Sequence, residues 1–111
     1  MKKEKRVCKN YEFTSIIQHH TFVKSSSFVC YFKSCKEEHA RVGISVGKKM
    51  GNAVVRNKIK RQVRSMVDEC FDFKEAFDTI IIVRPRYHQQ SYEKNLNELK
   101  MDRERIIKRK R

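Results

Sequence analysis

The sequence predicts one small α+β domain of the split α/β kind, with elements in the order αβββαβα. Three observations carry this. An apolar stripe at helical spacing runs from 55 to 70, a continuous β-branched run occupies 79–83, and the segments at 28–32 and 41–47 alternate with a period of two. With 111 residues, 39% of them apolar, the chain can build one modest core.

Residues 1–9 read as a basic N-terminal arm with no apolar run of the secretory type. Asn10 is placed to cap a first helix that carries Phe13, Ile16, Ile17 and His20 on one face. Residues 21–24 alternate as a short strand, and Ser25, Ser26 and Ser27 mark a turn. The strand at 28–32 puts Phe28, Cys30 and Phe32 on one face and Val29 and Tyr31 on the other. Residues 36–39 read as a polar hairpin connection. In the next strand Val42, Ile44 and Val46 point inward, while Gly43 and Ser45 leave a face that another backbone can approach.

Gly47 to Gly51 is a loop bearing Lys48 and Lys49. Asn52 caps a basic helix expected to run to about Cys70. The run at 79–83 reads as a central strand buried on both faces, ended by Arg84, Pro85 and Arg86. From about Ser91 a last helix turns Leu96, Leu99, the Arg103 stem and Ile106 or Ile107 inward. A basic tail at 108–111 follows. No repeat or linker divides the chain, so residues 1–111 form one domain.

The net charge of +14 opposes compaction and favours a polyanionic partner. No segment approaches the roughly 18 apolar residues of a membrane span, so no membrane association and a cytoplasmic location are expected. The cysteines, Cys8, Cys30, Cys35 and Cys70, lack the tight paired spacing of a structural zinc site. Zinc on Cys30, Cys35 and His39 is a weaker reading than buried or incidental thiols, because Cys30 lies within a strand.

Residues 48–64 hold seven basic residues and no acidic one. On a helix, Val55, Ile59, Val63, Met66 and Cys70 fall on one side. Asn57, Arg61 and Arg64 fall on the other, with Lys60 and Arg56 stepping back toward the apolar edge. Solvated helix faces usually mix charge signs; here no carboxylate follows until Asp68. A row of arginines without intrahelical partners suits phosphate oxygens.

Catalytic patterns are missing. Gly47, Lys48 and Lys49 lack the hydroxyl residue of a phosphate-cradling loop. The pairs Glu37-Glu38 and Asp68-Glu69 point apart within each pair, and His19-His20 has no orienting partner. The chain alone does not read as a catalyst.

The segment from Gly51 to Arg64 resembles the signature of the protein subunit of bacterial ribonuclease P, Ala-x-x-Arg-Asn-Arg-x-Lys-Arg-x-x-Arg. Ala53, Arg56, Asn57, Lys60, Arg61 and Arg64 match, and Lys58 stands where arginine is usual. The flanking features, from the helix with Phe13 to the isoleucine-rich strand at 80–83, follow in the family's order over roughly residues 5–105. The resemblance implies a four-stranded sheet packed by helices, with a left-handed βαβ crossover. It implies a ribonucleoprotein endonuclease that removes the 5′ leader of precursor tRNA. The RNA subunit would be catalytic and hold Mg2+, and this chain would be a protein subunit monomeric outside the complex. It implies that Lys48, Lys49, Asn52, Arg56, Asn57, Lys58, Lys60, Arg61 and Arg64 bind RNA. Phe13, Ile17 and Tyr31 would wall a cleft for the leader, Ile17 standing where a second aromatic is common. Composition alone fits equally a general basic RNA-binding or ribosomal-type protein. A basic helix lying on an anionic membrane is disfavoured, because the apolar stripe is needed for the core.

Overall fold

The computed structural model describes residues 6–7, 10–34, 40–71 and 77–110. The elements are α1 (Asn10–Gln18), β1 (Phe22–Lys24), β2 (Phe28–Ser34), β3 (Arg41–Ser45), α2 (Ala53–Cys70), β4 (Phe77–Val83) and α3 (Tyr92–Lys110). Short 3-10 turns occupy Lys48–Met50 and Pro85–Gln89. The expected order of helices and strands is therefore present, as one α+β domain with a four-stranded sheet.

The sheet order is β1-β2-β4-β3. β4 pairs antiparallel with β2 and parallel with β3. This corrects the expected hairpin between the second and third strands. The β-branched run of β4 is apolar on both faces and belongs in the sheet centre, so it inserts between β2 and β3. The connecting residues 36–39 lie outside the described residues. Parallel neighbours need a crossover, and α2 supplies it.

The two sheet faces are covered by different helices. Phe28, Cys30, Phe32, Val42, Ile81 and Val83 face α2 and α3, meeting Ile59, Val63, Met66 and Val67 of α2 and Leu99 and Ile106 of α3. Ile80 faces the other way and packs with Val7 and Ile16, flanked by half-buried Phe13, Ile17, Tyr31 and Ile82. Full burial of each large aliphatic or aromatic side chain contributes about 1.5–3 kcal/mol. The strand parity read for β2 is thus the observed one.

Four local expectations change. His20 does not join the α1 face; it is exposed, with φ of 59°, just after the helix ends. Asn10 is the first helical residue of α1, and its carbonyl accepts the Thr14 hydroxyl at 3.1 Å. Val67 joins the buried stripe of α2. The basic residues 108–110 continue α3, where Arg109 donates to Phe22 O at 2.6 Å and lies 5.6 Å from the Phe32 ring centroid. At the other end, Arg6 bridges to Val42, and Val7 N donates to Val42 O at 3.1 Å. Cys30 is fully buried and Cys70 half-buried, both as free thiols; Cys8, Cys35 and His39 lie outside the described residues.

Candidate nucleic-acid interface

The start of α2 is held by its cap. Asn52 Oδ1 accepts the Val55 amide at 3.0 Å, which satisfies one of the open donors of the first turn. The preceding Gly51 has φ of 139°, and a Cβ there would come within 2.9 Å of Val55 Cγ1. Only glycine fits that approach. The helix then buries Ile59, Val63, Met66 and Val67. That docking leaves Asn57, Lys58 and Arg61 exposed and Arg56, Lys60 and Arg64 half-buried along the flanks.

Among the described residues, no ion pair involves Arg56, Lys58, Lys60, Arg61 or Arg64. The first turn carries no acidic residue, so the helix dipole adds to the positive field there. Arg56 Nε is buried without an acceptor among the described residues. Lys48 and Lys49 extend the surface from the exposed 3-10 turn before the helix. His88 steadies that turn, its Nε2 lying 2.7 Å from Met50 O. Asn52 uses one lone pair of its side-chain oxygen for the cap, and its amide NH2 donates to no protein acceptor among the described residues.

On the other face, one arginine clamps α1 to the sheet. Arg41 donates to Asp78 through two bonds, of 3.2 and 2.9 Å. Its third nitrogen lies 2.7 Å from Glu12. The Asp78 bond chiefly, then that to Glu12, raises the guanidinium pKa still further, so it stays charged. Lys33 Nζ adds a bond to Ser15 Oγ at 3.0 Å. Beside this polar row lies an apolar one, running across the strands as Phe22, Tyr31, Ile80 and Gly43. Phe13 seats its ring over the last two.

Two depressions open around that ring. One, of about 360 Å³, is bordered by Asn10, Phe13, Ser45 and Lys60. The other, of about 230 Å³, is bordered by Arg6, Phe13, Gly43 and Arg64. The basic helix and the first helix therefore share one seam along β3, with an aromatic ring in its wall and cations on its rim. Ile17 and Tyr31 belong to the same apolar cluster as Phe13, joined through Ile80. Tyr31 is half-buried and leans on Phe22, with ring centroids 5.2 Å apart.

The third row, Val29, Ile82 and Ser45, is half-buried on this same face, and none of the three is among the site residues that the sequence suggests. The parity it shares with Tyr31 was the available signal. His19 and His20 sit exposed at the end of α1. Among the described residues, no three His, Cys, Asp or Glu side chains come together in a way that could hold a metal ion.

Known proteins share this architecture. The ribonuclease P family profile matches residues 1–107. The ribonuclease P protein component of Mesoplasma florum is 46% identical over 101 residues, covering 89% of this chain and 92% of that one. A Staphylococcus aureus RNase P protein, a mutant described as defective in mRNA degradation activity, superposes with a TM-score of 0.82 at 38% identity. That match covers 90% of this chain and 86% of the other. The RNase P protein from Thermotoga maritima superposes with a TM-score of 0.75 at 25% identity, over 85% and 90% of the two chains.

Proposed function

Because the chain belongs to the bacterial ribonuclease P protein family and so is part of an endoribonuclease complex, we propose a division of labour between its two faces. The exposed face of α2 binds the catalytic RNA subunit of ribonuclease P. The seam between α1 and β3, with the sheet surface beside it, receives the single-stranded 5′ leader of precursor tRNA. The observation that carries this reading is the position of Phe13. Its ring walls both depressions, and Lys60 and Arg64 of the basic helix form the rims. An unpaired strand offers base faces to stack and phosphates to neutralise, and this seam supplies both complements.

The chemistry of cleavage belongs to the RNA in this account. Mg2+ would be held by the RNA subunit and not by this chain, and would supply the metal-ion chemistry of cleavage there. The protein lowers repulsion between two polyanions and aligns the leader. Outside the complex the chain is a monomer, and it works in the cytoplasm. No helix of the described residues is long and apolar enough to cross a membrane. The test is reconstitution. Purified chain plus its cognate RNA subunit cleaves precursor tRNA at a low Mg2+ concentration at which the RNA alone is slow. The protein without RNA leaves the substrate intact. Cleavage by RNA-free, nuclease-free protein would overturn the assignment.

A further inference from the structure

A cavity of about 280 Å³ lies behind the basic face, between α2, the Pro85–Gln89 turn and the first turn of α3. We propose that it receives one unstacked nucleotide of the RNA that α2 binds, an inference that rests on the RNA-binding reading above. Its volume falls just under the roughly 300–1,000 Å³ of sites for drug-sized ligands, which suits a single base or nucleoside.

The lining has the chemistry of base recognition. Val55 and Ile59 give it an apolar lining, and Tyr92, which borders it, has 37% of its surface exposed. Tyr87 donates its hydroxyl to Gln62 Oε1 at 2.8 Å. This bond fixes the Gln62 amide, and among the described residues its NH2 group donates to no protein acceptor. A base entering between Val55 and Tyr92 would thus find a ring to stack on and an oriented donor for a carbonyl or ring nitrogen. Lys58, on the rim, would take the nucleotide's own phosphate.

Location supports an RNA occupant over a free metabolite. Lys58 follows Asn57 and Gln62 follows Arg61 on the same helix. Lys58 and Gln62 are each turned about 100° round the helix from Asn57 and Arg61. The cavity therefore opens on the flank of the exposed Asn57 and Arg61 surface, where a strand lying on that surface can turn one base inward. The same segment is anchored to the lysine-bearing turn through His88 and Met50, so the cavity is framed by parts already assigned to RNA contact.

The experiment uses the full chain with the cognate ribonuclease P RNA as probe. It reads affinity across a salt series and the 2′-hydroxyl acylation of each RNA nucleotide in the complex. Tyr92→Ala and Gln62→Ala are expected to lose about fivefold to a hundredfold in affinity, with an unchanged log–log salt slope, since no phosphate contact is removed. One nucleotide that is reactive and unstacked with the natural chain is expected to change its reactivity with these variants. Tyr92→Phe, which keeps the ring, should behave as the natural chain does. If Arg61→Ala weakens binding while Tyr92→Ala and Gln62→Ala leave affinity and acylation unchanged, the cavity is empty and the proposal falls, though the RNA-binding reading stands. If affinity drops with no nucleotide altered, Tyr92 only supports the fold, and the proposal falls as well. If Arg61→Ala also binds normally, α2 is not the RNA face and both readings fail.

Discussion

The Phe13 ring fills the space that a side chain at position 43 would need. A Cβ on Gly43 would lie 2.6 Å from Phe13 Cζ and 2.8 Å from Ile80 Cδ1. The glycine in β3 is therefore the reason that α1 can sit this close to the sheet, and the seam between α1 and α2 depends on it.

Gly43→Ala should consequently destabilise the domain by about 1–3 kcal/mol, the usual range for overpacking a filled core. A rigid ring cannot step aside as the end of an aliphatic chain can, so α1 must shift. Urea unfolding followed by far-UV circular dichroism measures this. A midpoint equal to that of the natural chain would show that α1 is not seated as described.

Arg61→Ala and Val63→Asp separate the two sides of α2. Arg61 is exposed and Val63 is fully buried. The arginine variant should fold normally, bind RNA more weakly, and flatten the log–log salt dependence by up to about one unit. The aspartate variant buries an unpaired charge at a price of several kcal/mol, a large part of a small domain's stability. Equal losses in thermal melting would mean that the helix is rotated from its described orientation.

Asp102 makes stability depend on pH. Its side chain is fully buried on α3, where it accepts the Ser25 hydroxyl at 2.8 Å. Arg105 lies 3.4 Å away and Glu98 is on the same helix. Burial dominates over the lowering effects of Ser25 and Arg105, with Glu98 adding a smaller push upward, and raises the carboxyl pKa from 3.8 to about 6. The folded state thus holds this proton more tightly than the unfolded chain does. Its contribution to stability is complete below about pH 3.8 and is lost as pH rises through about 6. Asp102→Asn should remove this component of the pH dependence and be relatively more stable at pH 7 and above. Urea midpoints for both chains between pH 4 and 8 check it; parallel curves would contradict the raised pKa.

What the sequence revealed follows from what is local. The cap at Asn52, the docking side of α2 and the parity of β2 are set by residues within one or two turns or a few strand positions. Strand adjacency is not local. A polar stretch after β2 looks like a hairpin whether or not β4, more than forty residues later, inserts beside it. The buried polar residues of α3 were hidden for the same reason. Asn95 and Asp102 share a stripe with Leu99 and Ile106, yet they read as solvent-facing because their partners, Ser27 and Ser25, lie 68 and 77 residues away. At the interface, the basic helix was visible from charge alone. The seam that joins it to Phe13 was not, because it requires Gly43 and the α1 clamp at Arg41 to bring distant segments together.

The reading of the sheet face as a leader site is tested most directly by a leader-length series. Holoenzyme assembled with the natural chain or with Tyr31→Ala is titrated with precursor tRNAs whose leaders grow from one to several nucleotides, with mature tRNA as control. Tyr31 is preferred to Phe13, whose ring also seats α1. Tyr31→Ala should lose about fivefold to a hundredfold in affinity for long leaders, the worth of one stacked base, and almost nothing for the one-nucleotide leader or mature tRNA. An equal loss at every length would place Tyr31 in the fold or against the RNA subunit, and would contradict the assignment of this face to the leader.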